Sequence, residues 1–258
     1  MTVQNDVRES EAHGRRPMRL AFLGPSRVMG LSDRIKKLPF TPLQVAVHVY
    51  AWQGPLLLVY GLFTNQLTAN PLQAIQQRTG RQALALLVLS LACTPVNTIT
   101  GWREPLKRSR TLGLYAFMIA FLHVLVFLDL DNGIAWNYFI QTVIQKWYII
   151  FGMLAFLMLI PLAVTSFDIW KSRLGRKWKL LHRSVYIIVP IVILHYALSV
   201  KGDIFQLRGA IAQPLNYLLV VVGLLFLRLP FVRRFLIHLR GRLGLLFARL
   251  NAQATQRP

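Results

Sequence analysis

The sequence predicts an all-α integral membrane protein, built as a bundle of six transmembrane helices. Hydrophobic residues make up 55% of the 258 residues and collect in long runs. Runs of about 18 or more apolar residues are typical of helices that cross a bilayer. The formal net charge is +21, and the basic residues lie between the runs. This placement favours contact with a lipid membrane and argues against nucleic-acid binding.

Six apolar segments justify the helix count, and the charged regions at both ends complete the chain. The segments are about 43–63, 82–95, 111–128, 147–166, 184–200 and 215–229. Each approaches the roughly 20 residues that a bilayer requires, although the second is short. We expect a basic N-terminal tail at 1–42, the six-helix domain at 43–229 and a basic C-terminal segment at 230–258. Within that last segment, 233–249 is typical of an amphipathic helix at a membrane surface.

The lysines and arginines predict how the bundle is oriented. Of 30 such residues, 25 fall on the side of both termini and only five on the other. Cytoplasmic loops of membrane proteins carry the excess of Lys and Arg. Both termini are therefore predicted to be cytoplasmic, and the loop holding Asp129 and Asp131 is predicted to lie on the opposite side. The single cysteine, Cys93, cannot form an internal disulfide.

Two of the six histidines occupy the same predicted depth on the third and fifth helices. His123 lies 13 residues after Arg110 and six before Asp129. His195 lies 12 residues after Arg183 and six before Lys201. A haem iron takes two axial imidazoles at one level, so this pair predicts a haem ligated between helices 3 and 5. The alternative is that each histidine is a polar contact between helices.

His182 and His48 are the remaining candidates within the membrane. His182 precedes His195 by 13 residues, a separation of roughly 20 Å along a helix, which suits a second cofactor nearer the other face. On a straight helix the two side chains point roughly 140° apart, although Pro190 between them can bend it. His48 lies five residues into the first helix and could pair with His182. Alternatively, His182 contacts a lipid or cofactor phosphate.

Four stretches carry a resemblance to a known family. They are NPLQAIQQRTGR at 70–81, RTLGLYAFMIAFLH at 110–123, PLAVTSFDIWKSRLGRKWKLLHRSVY at 161–186 and HYALSVK at 195–201. They resemble the MsrQ (YedZ) family, the haem-binding membrane subunits of the MsrPQ methionine sulfoxide reductase system, within the ferric-reductase-like transmembrane superfamily. The similarity extends over about 44–229.

The resemblance implies an electron-transfer subunit in the bacterial inner membrane. It implies a b-type cytochrome with one or two haem b groups and FMN, which passes electrons to MsrP, a periplasmic molybdenum-containing methionine sulfoxide reductase. The implied electron donor is respiratory quinone or a cytoplasmic flavin reductase. The family's haem histidines map onto His123, His182 and His195. Two-haem members of the superfamily carry a fourth histidine on the third helix, where this chain has Ser109 and Arg110.

Other interpretations stay open at this point. The basic loop from Lys171 to Arg183 is a candidate for binding the FMN phosphate, but the same charge is expected of any cytoplasmic loop. A reductase of ferric or cupric ions would use a similar bundle. A non-redox transporter with a histidine relay is a third possibility, against which the lack of carboxylates within the apolar segments argues.

Overall fold

The structure, a computed structural model, describes residues 40–64, 66–67, 69–128, 145–200, 202–203 and 208–255. The predicted tail, except for its last three residues, and the loop with Asp129 and Asp131 lie outside the described residues. The helices are α1 (Pro42–Phe63), α2 (Pro71–Thr100), α3 (Glu104–Val126), α4 (Trp147–Val164), α5 (Asp168–Leu174), α6 (Arg176–His182), α7 (Val185–Ser199), α8 (Ala212–Phe226) and α9 (Pro230–Thr255). A short antiparallel ribbon pairs β1 (Gly202–Asp203) with β2 (Arg208–Gly209).

The helical membrane architecture predicted from the sequence is confirmed. In the described part of the chain, α1, α2, α3, α4 and the α6–α7 unit are each long and apolar enough to cross a membrane. The pair formed by α8 and the first part of α9 passes the same test only together, and it is bent by 74°. The described residues therefore contain five candidate spans, or six if the bent pair is one span.

The second helix is much longer than the predicted segment 82–95. It begins at Pro71 and continues to Thr100, for 30 residues. Asn70 caps its start by accepting a hydrogen bond from the Gln73 backbone N–H at 3.1 Å, and proline suits the first helical position. Gly101, with φ of 79°, ends the helix in the left-handed conformation that favours glycine. The polar residues in the first three turns hid them from a search for apolar runs.

A side chain of α2 compensates for the proline inside α1. Pro55 has no backbone N–H, so the carbonyl of Ala51, four residues earlier, loses its helical donor. Gln82 Nε2 donates to Ala51 O at 2.9 Å and to Tyr50 O at 3.1 Å. Gly54 leaves the space that the Gln82 side chain fills. These contacts join α1 to α2 where α1 is weakest.

One hydrophobic core holds the bundle together. Helices α1, α2, α3, α4, α7 and α8 each contribute buried side chains, for example Val47, Leu84, Ile119, Leu159, Ile188 and Val221. Large apolar side chains also cover the outside: Leu56 is 63% exposed and Leu219 73% exposed. An apolar core combined with an apolar exterior is what a bilayer-embedded bundle requires.

The last helix is attached to the end of α2. Arg240 Nη1 donates to the carbonyls of Asn97 and Thr98, each at 3.1 Å. These carbonyls lie in the last turn of α2, where arginine is a favourable neighbour. Asn97 O also accepts from the Gly101 backbone N–H at 2.9 Å. The predicted amphipathic stretch 233–249 lies within α9.

Candidate functional site

His123 on α3 and His195 on α7 lie next to each other. Their ring centroids are 6.3 Å apart and their planes are nearly perpendicular, at 84°. The sequence predicts His123 and His195 at the same depth in the membrane, and the structure brings their rings together. Two metal–nitrogen bonds of about 2 Å each would span about 4 Å, and the two ring radii account for most of the remaining separation.

Backbone carbonyls fix the tautomer of both rings. His195 Nδ1 lies 2.6 Å from Tyr148 O, and His123 Nδ1 lies 3.1 Å from Gln76 O. A carbonyl oxygen only accepts, so each Nδ1 carries the proton and each Nε2 keeps a lone pair. This is the usual state of a metal-binding histidine, in which the second ring nitrogen is held by a hydrogen bond. The Thr79 hydroxyl, also 3.1 Å from His123 Nδ1, donates to Ile75 O at 2.8 Å and can accept the same proton.

Two glycines make room for the two imidazoles. A Cβ atom at Gly152 on α4 would lie 2.7 Å from Cε1 and Nδ1 of His195. A Cβ atom at Gly80 on α2 would lie 3.2 Å from Cε1 of His123. Each ring therefore packs on helix backbone at a position where only a hydrogen atom fits without rearrangement. The two rings, from α3 and α7, are therefore held in place by contacts with α2 and α4.

The pair can serve a metal that needs two ligands from the protein. No three His, Cys, Asp or Glu side chains in the described ranges come together as a metal site. A haem iron receives four ligands from its porphyrin and needs only one or two imidazoles. The lone pair that each Nε2 keeps, with each Nδ1–H held by a carbonyl, fits such a group.

His182 has a different environment at the end of α6. Its Nδ1 lies 3.1 Å from Trp178 O, and the Trp178 ring stacks on the imidazole with centroids 4.1 Å apart. Its Nε2 lies 3.5 Å from Ser166 Oγ, whose own proton goes to Leu162 O at 2.7 Å. A contact of that length is weak, so His182 Nε2 keeps a lone pair available to a further partner.

A cavity of about 290 Å³ opens beside His182. Most of its wall is apolar, contributed by α2, α3, α4 and α7. Its polar lining consists of Ser90, Thr94, Ser109, Arg110, Ser166, Trp178, His182, Tyr186 and Arg228. A mainly apolar space with a few convergent polar groups is typical of a small-molecule or cofactor site. We call it the His182 cavity.

His48 does not contact His182. Its Nδ1 lies 2.6 Å from the Tyr115 hydroxyl, and the two rings meet edge to face. His182 is the last residue of α6, and two residues separate it from the start of α7 at Val185. The angle of about 140° expected between His182 and His195 on one straight helix therefore does not apply. The structure thus brings His123 and His195 together and places His48 and His182 with separate partners.

Sequence patterns predicted neither arginine as a residue that lines a cavity. The six basic side chains of the 171–183 loop are exposed: Lys171, Arg173, Arg176, Lys177, Lys179 and Arg183. The cations that reach the cavity are instead Arg110, at the start of the third apolar segment, and Arg228, at the end of the sixth. Arg228 looked like ordinary flanking charge. Arg110 stood beside Ser109 at the position where a fourth histidine is found in two-haem members of the superfamily, and that position was the available signal.

The fold and a family comparison define the class of protein. Residues 79–193 match the family described as ferric reductase like transmembrane component. That range begins in the middle of α2 and ends in α7, and it contains His123 and His182. The chain is a ferric-reductase-like membrane protein.

Comparison with individual proteins identifies the family within that class. A relative from Rhodospirillum rubrum is 40% identical over 170 residues, which cover 65% of this chain and 78% of the relative. One from Caulobacter vibrioides is 39% identical over 154 residues, 59% of this chain and 70% of the relative. Both are named protein-methionine-sulfoxide reductase heme-binding subunit MsrQ. The chain belongs to the MsrQ family. No solved structure matches it significantly.

Proposed function

We propose that this chain is the haem-binding electron-transfer subunit of a protein-methionine-sulfoxide reductase system in a bacterial inner membrane. It passes electrons from the respiratory quinone pool or a cytoplasmic flavin donor to a periplasmic, MsrP-like molybdoenzyme that repairs oxidised proteins. Membership of the MsrQ family supports this proposal, as do the relatives' names, which state haem binding and a methionine sulfoxide reductase.

The observation that carries the proposal is the His123–His195 pair. The two rings are 6.3 Å apart, and each Nδ1–H is engaged by a backbone carbonyl. His123 and His195 would hold haem b, and the haem would supply a one-electron carrier. Ligation by two imidazoles would favour electron transfer over chemistry at the metal. The glycines and carbonyls around the pair keep both rings in position as the charge of the site changes.

The His182 cavity is the proposed place of electron entry. Its occupant is FMN, a quinone or a second haem b, and His182 is the contact or ligand residue. His48 would act as a second axial ligand only by giving up its hydrogen bond to Tyr115. Because the excess of Lys and Arg lies at this end of the bundle, we place it on the cytoplasmic side and His123 toward the periplasmic partner.

Replacing either histidine of the pair tests the proposal. His123→Ala and His195→Ala should each lose most of the low-spin haem absorbance and should fail to reduce the partner reductase, because one imidazole cannot complete the axial set. His238→Ala, on the exposed face of α9, is the matched control and should keep both properties. A wild-type spectrum in either variant would mean that the histidine only joins helices.

Two further measurements separate the proposal from its alternatives. Reduction of ferric or cupric ions, with no delivery of electrons to a methionine sulfoxide reductase, would indicate a metal-ion reductase. Purified protein without haem would indicate a histidine-relay transporter. Reporter fusions at both termini and at Asn132 test the orientation, and a cytoplasmic signal at Asn132 would reverse it.

A further inference from the structure

Arg228 reaches into the His182 cavity from the turn between α8 and α9. Its Nη2 donates to Leu91 O on α2 at 2.5 Å, and its Nη1 donates to the Tyr186 hydroxyl on α7. The guanidinium also lies 5.1 Å from the centre of the Tyr186 ring. Arg228 therefore joins three parts of the bundle that are far apart in sequence.

One atom of this guanidinium has no partner. Arg228 Nε is buried and has no hydrogen-bond partner within the described ranges. A buried N–H without an acceptor is costly, so a water, an ion or a ligand is expected to accept from it. Nη1 and Nη2 donate once each, to Tyr186 and Leu91, and each keeps a second N–H.

The charge of Arg228 is also unbalanced. In the part of the chain that the structure describes, no carboxylate lies within ion-pair distance of it, and none of the described residues lining the cavity is Asp or Glu. The second cation of the cavity, Arg110, does have a partner, Asp168, at 2.7 Å. An arginine without an acidic partner favours a negative group beside it, so an anion is expected to accompany Arg228.

We propose that the His182 cavity binds an anionic cofactor, an apolar ring system bearing a carboxylate or a phosphate, and that Arg228 holds the anionic group. This inference rests on the proposed function and narrows it. The apolar wall, which includes Leu87, Phe117 and Leu159, suits the ring system. A guanidinium fork suits carboxylate and phosphate oxygens. A neutral quinone would leave the charge of Arg228 uncompensated.

Pairs of probes that differ only in charge test the inference. Full-length protein in detergent, depleted of the cavity cofactor, is titrated with haemin and with its dimethyl ester, with FMN and with riboflavin, and with a short-chain ubiquinone. In the wild type, the anionic member of one pair should bind about tenfold or more tightly than its neutral partner. A preference within the haemin pair identifies carboxylate as the anionic group, and one within the FMN pair identifies phosphate.

Variants assign that preference to Arg228. Arg228→Gln should remove the preference and lower the haem or flavin content of protein as purified, whereas Arg228→Lys should keep part of it through its charge. Arg233→Gln makes the same charge change at an exposed position on α9 and should behave as the wild type. Tyr186→Phe removes one contact of Arg228 but not its charge or its Nε–H, so it should keep the preference.

The low-spin absorbance of the His123–His195 site distinguishes the two proposals. If the low-spin absorbance persists in Arg228→Gln while the preference for the anionic probe is lost, the proposed function and the inference about Arg228 are both supported. Equal binding of anionic and neutral probes to the wild type, or an unchanged preference in Arg228→Gln, overturns the inference and leaves the proposed function intact. If Arg228→Gln does not fold, the charge pairs on the wild type and on Arg228→Lys decide the question.

Discussion

The two histidine regions of the bundle are built on different principles. At one end, His123 and His195 face each other, each with Nδ1 held by a carbonyl and each packed on a glycine. At the other end, His182 stacks on Trp178 beside a cavity that also contains Arg110 and Arg228. The first region is a pair of histidine side chains in contact, and the second is a cavity lined by His182 and two arginines. A pair of ligands fixes a metal, whereas a charged cavity recognises a whole molecule.

The largest expected effect comes from filling the space next to His195, which should affect the histidine pair and leave the His182 cavity unchanged. Gly152→Ala places a Cβ atom 2.7 Å from the ring, so His195 must move. Overpacking of this kind costs about 1–3 kcal/mol. We expect a large loss of low-spin haem per chain with little change at the His182 cavity, measured by absorbance and by cofactor content.

Alanine substitutions at two other glycines should give smaller losses of low-spin haem than Gly152→Ala. Gly80→Ala meets His123 at 3.2 Å and should have a smaller effect, while Gly223→Ala on α8 meets nothing within 4 Å and should have none. If all three variants behave alike, the glycines are not what orients the imidazoles.

The second prediction concerns the histidines of the other region. His182→Ala should lower the content of the cavity cofactor and slow reduction of the His123–His195 haem, while that haem stays bound. His48→Ala should leave both cofactors in place and lower the free energy of unfolding by about 1 kcal/mol, because it removes one hydrogen bond to Tyr115.

Tyr115→Phe removes the same hydrogen bond and should reproduce the effect of His48→Ala. Redox titration of the variants beside the wild type provides the measurement. Loss of one identical spectral component in His182→Ala and His48→Ala would instead show that these two histidines ligate a second haem.

The smallest expected effect is at the ion pair near the cavity entrance. Arg110, 2.7 Å away, lowers the pKa of Asp168 below its ordinary value of 3.8. A carboxyl whose pKa is lowered by folding stabilises the protein above its unfolded pKa, and the contribution is lost as the pH falls through the lowered pKa. Because Asp168 is exposed, salt screens much of the interaction.

Asp168→Asn should therefore lower the melting temperature slightly at neutral pH and low salt. The difference from the wild type should shrink as the salt concentration rises, and again as the pH falls below 3.8. A difference that persists under both conditions would mean that Asp168 has a role other than pairing with Arg110.

Part of this organisation follows from the sequence. Long apolar runs predict membrane helices because the bilayer sets their length, and the family is confirmed by its relatives. Counting residues from flanking charges put His123 and His195 at equal depth, because helix rise is constant. Their role as haem ligands stays a prediction, and so do the roles of His182 and His48.

The rest depends on contacts that no local pattern encodes. The polar start of α2 lies outside the predicted apolar segment 82–95, although it supplies Gln76, Thr79 and Gly80 to the surroundings of His123. Arg228 looked like flanking charge, because its contact with Leu91 O joins residues 137 positions apart in the sequence. Depth alone put His48 level with His182 but could not tell which neighbour it faces.

The carbonyl acceptors at Gln76 and Tyr148 have a consequence for how this site would vary among homologous proteins. Every residue type has a backbone carbonyl, so positions 76 and 148 can hold the two histidines whatever side chains stand there. Alignments of homologues would then show constrained histidines and glycines next to freely changing neighbours. These two carbonyls would leave no trace in a substitution pattern, and alanine scanning would not detect them.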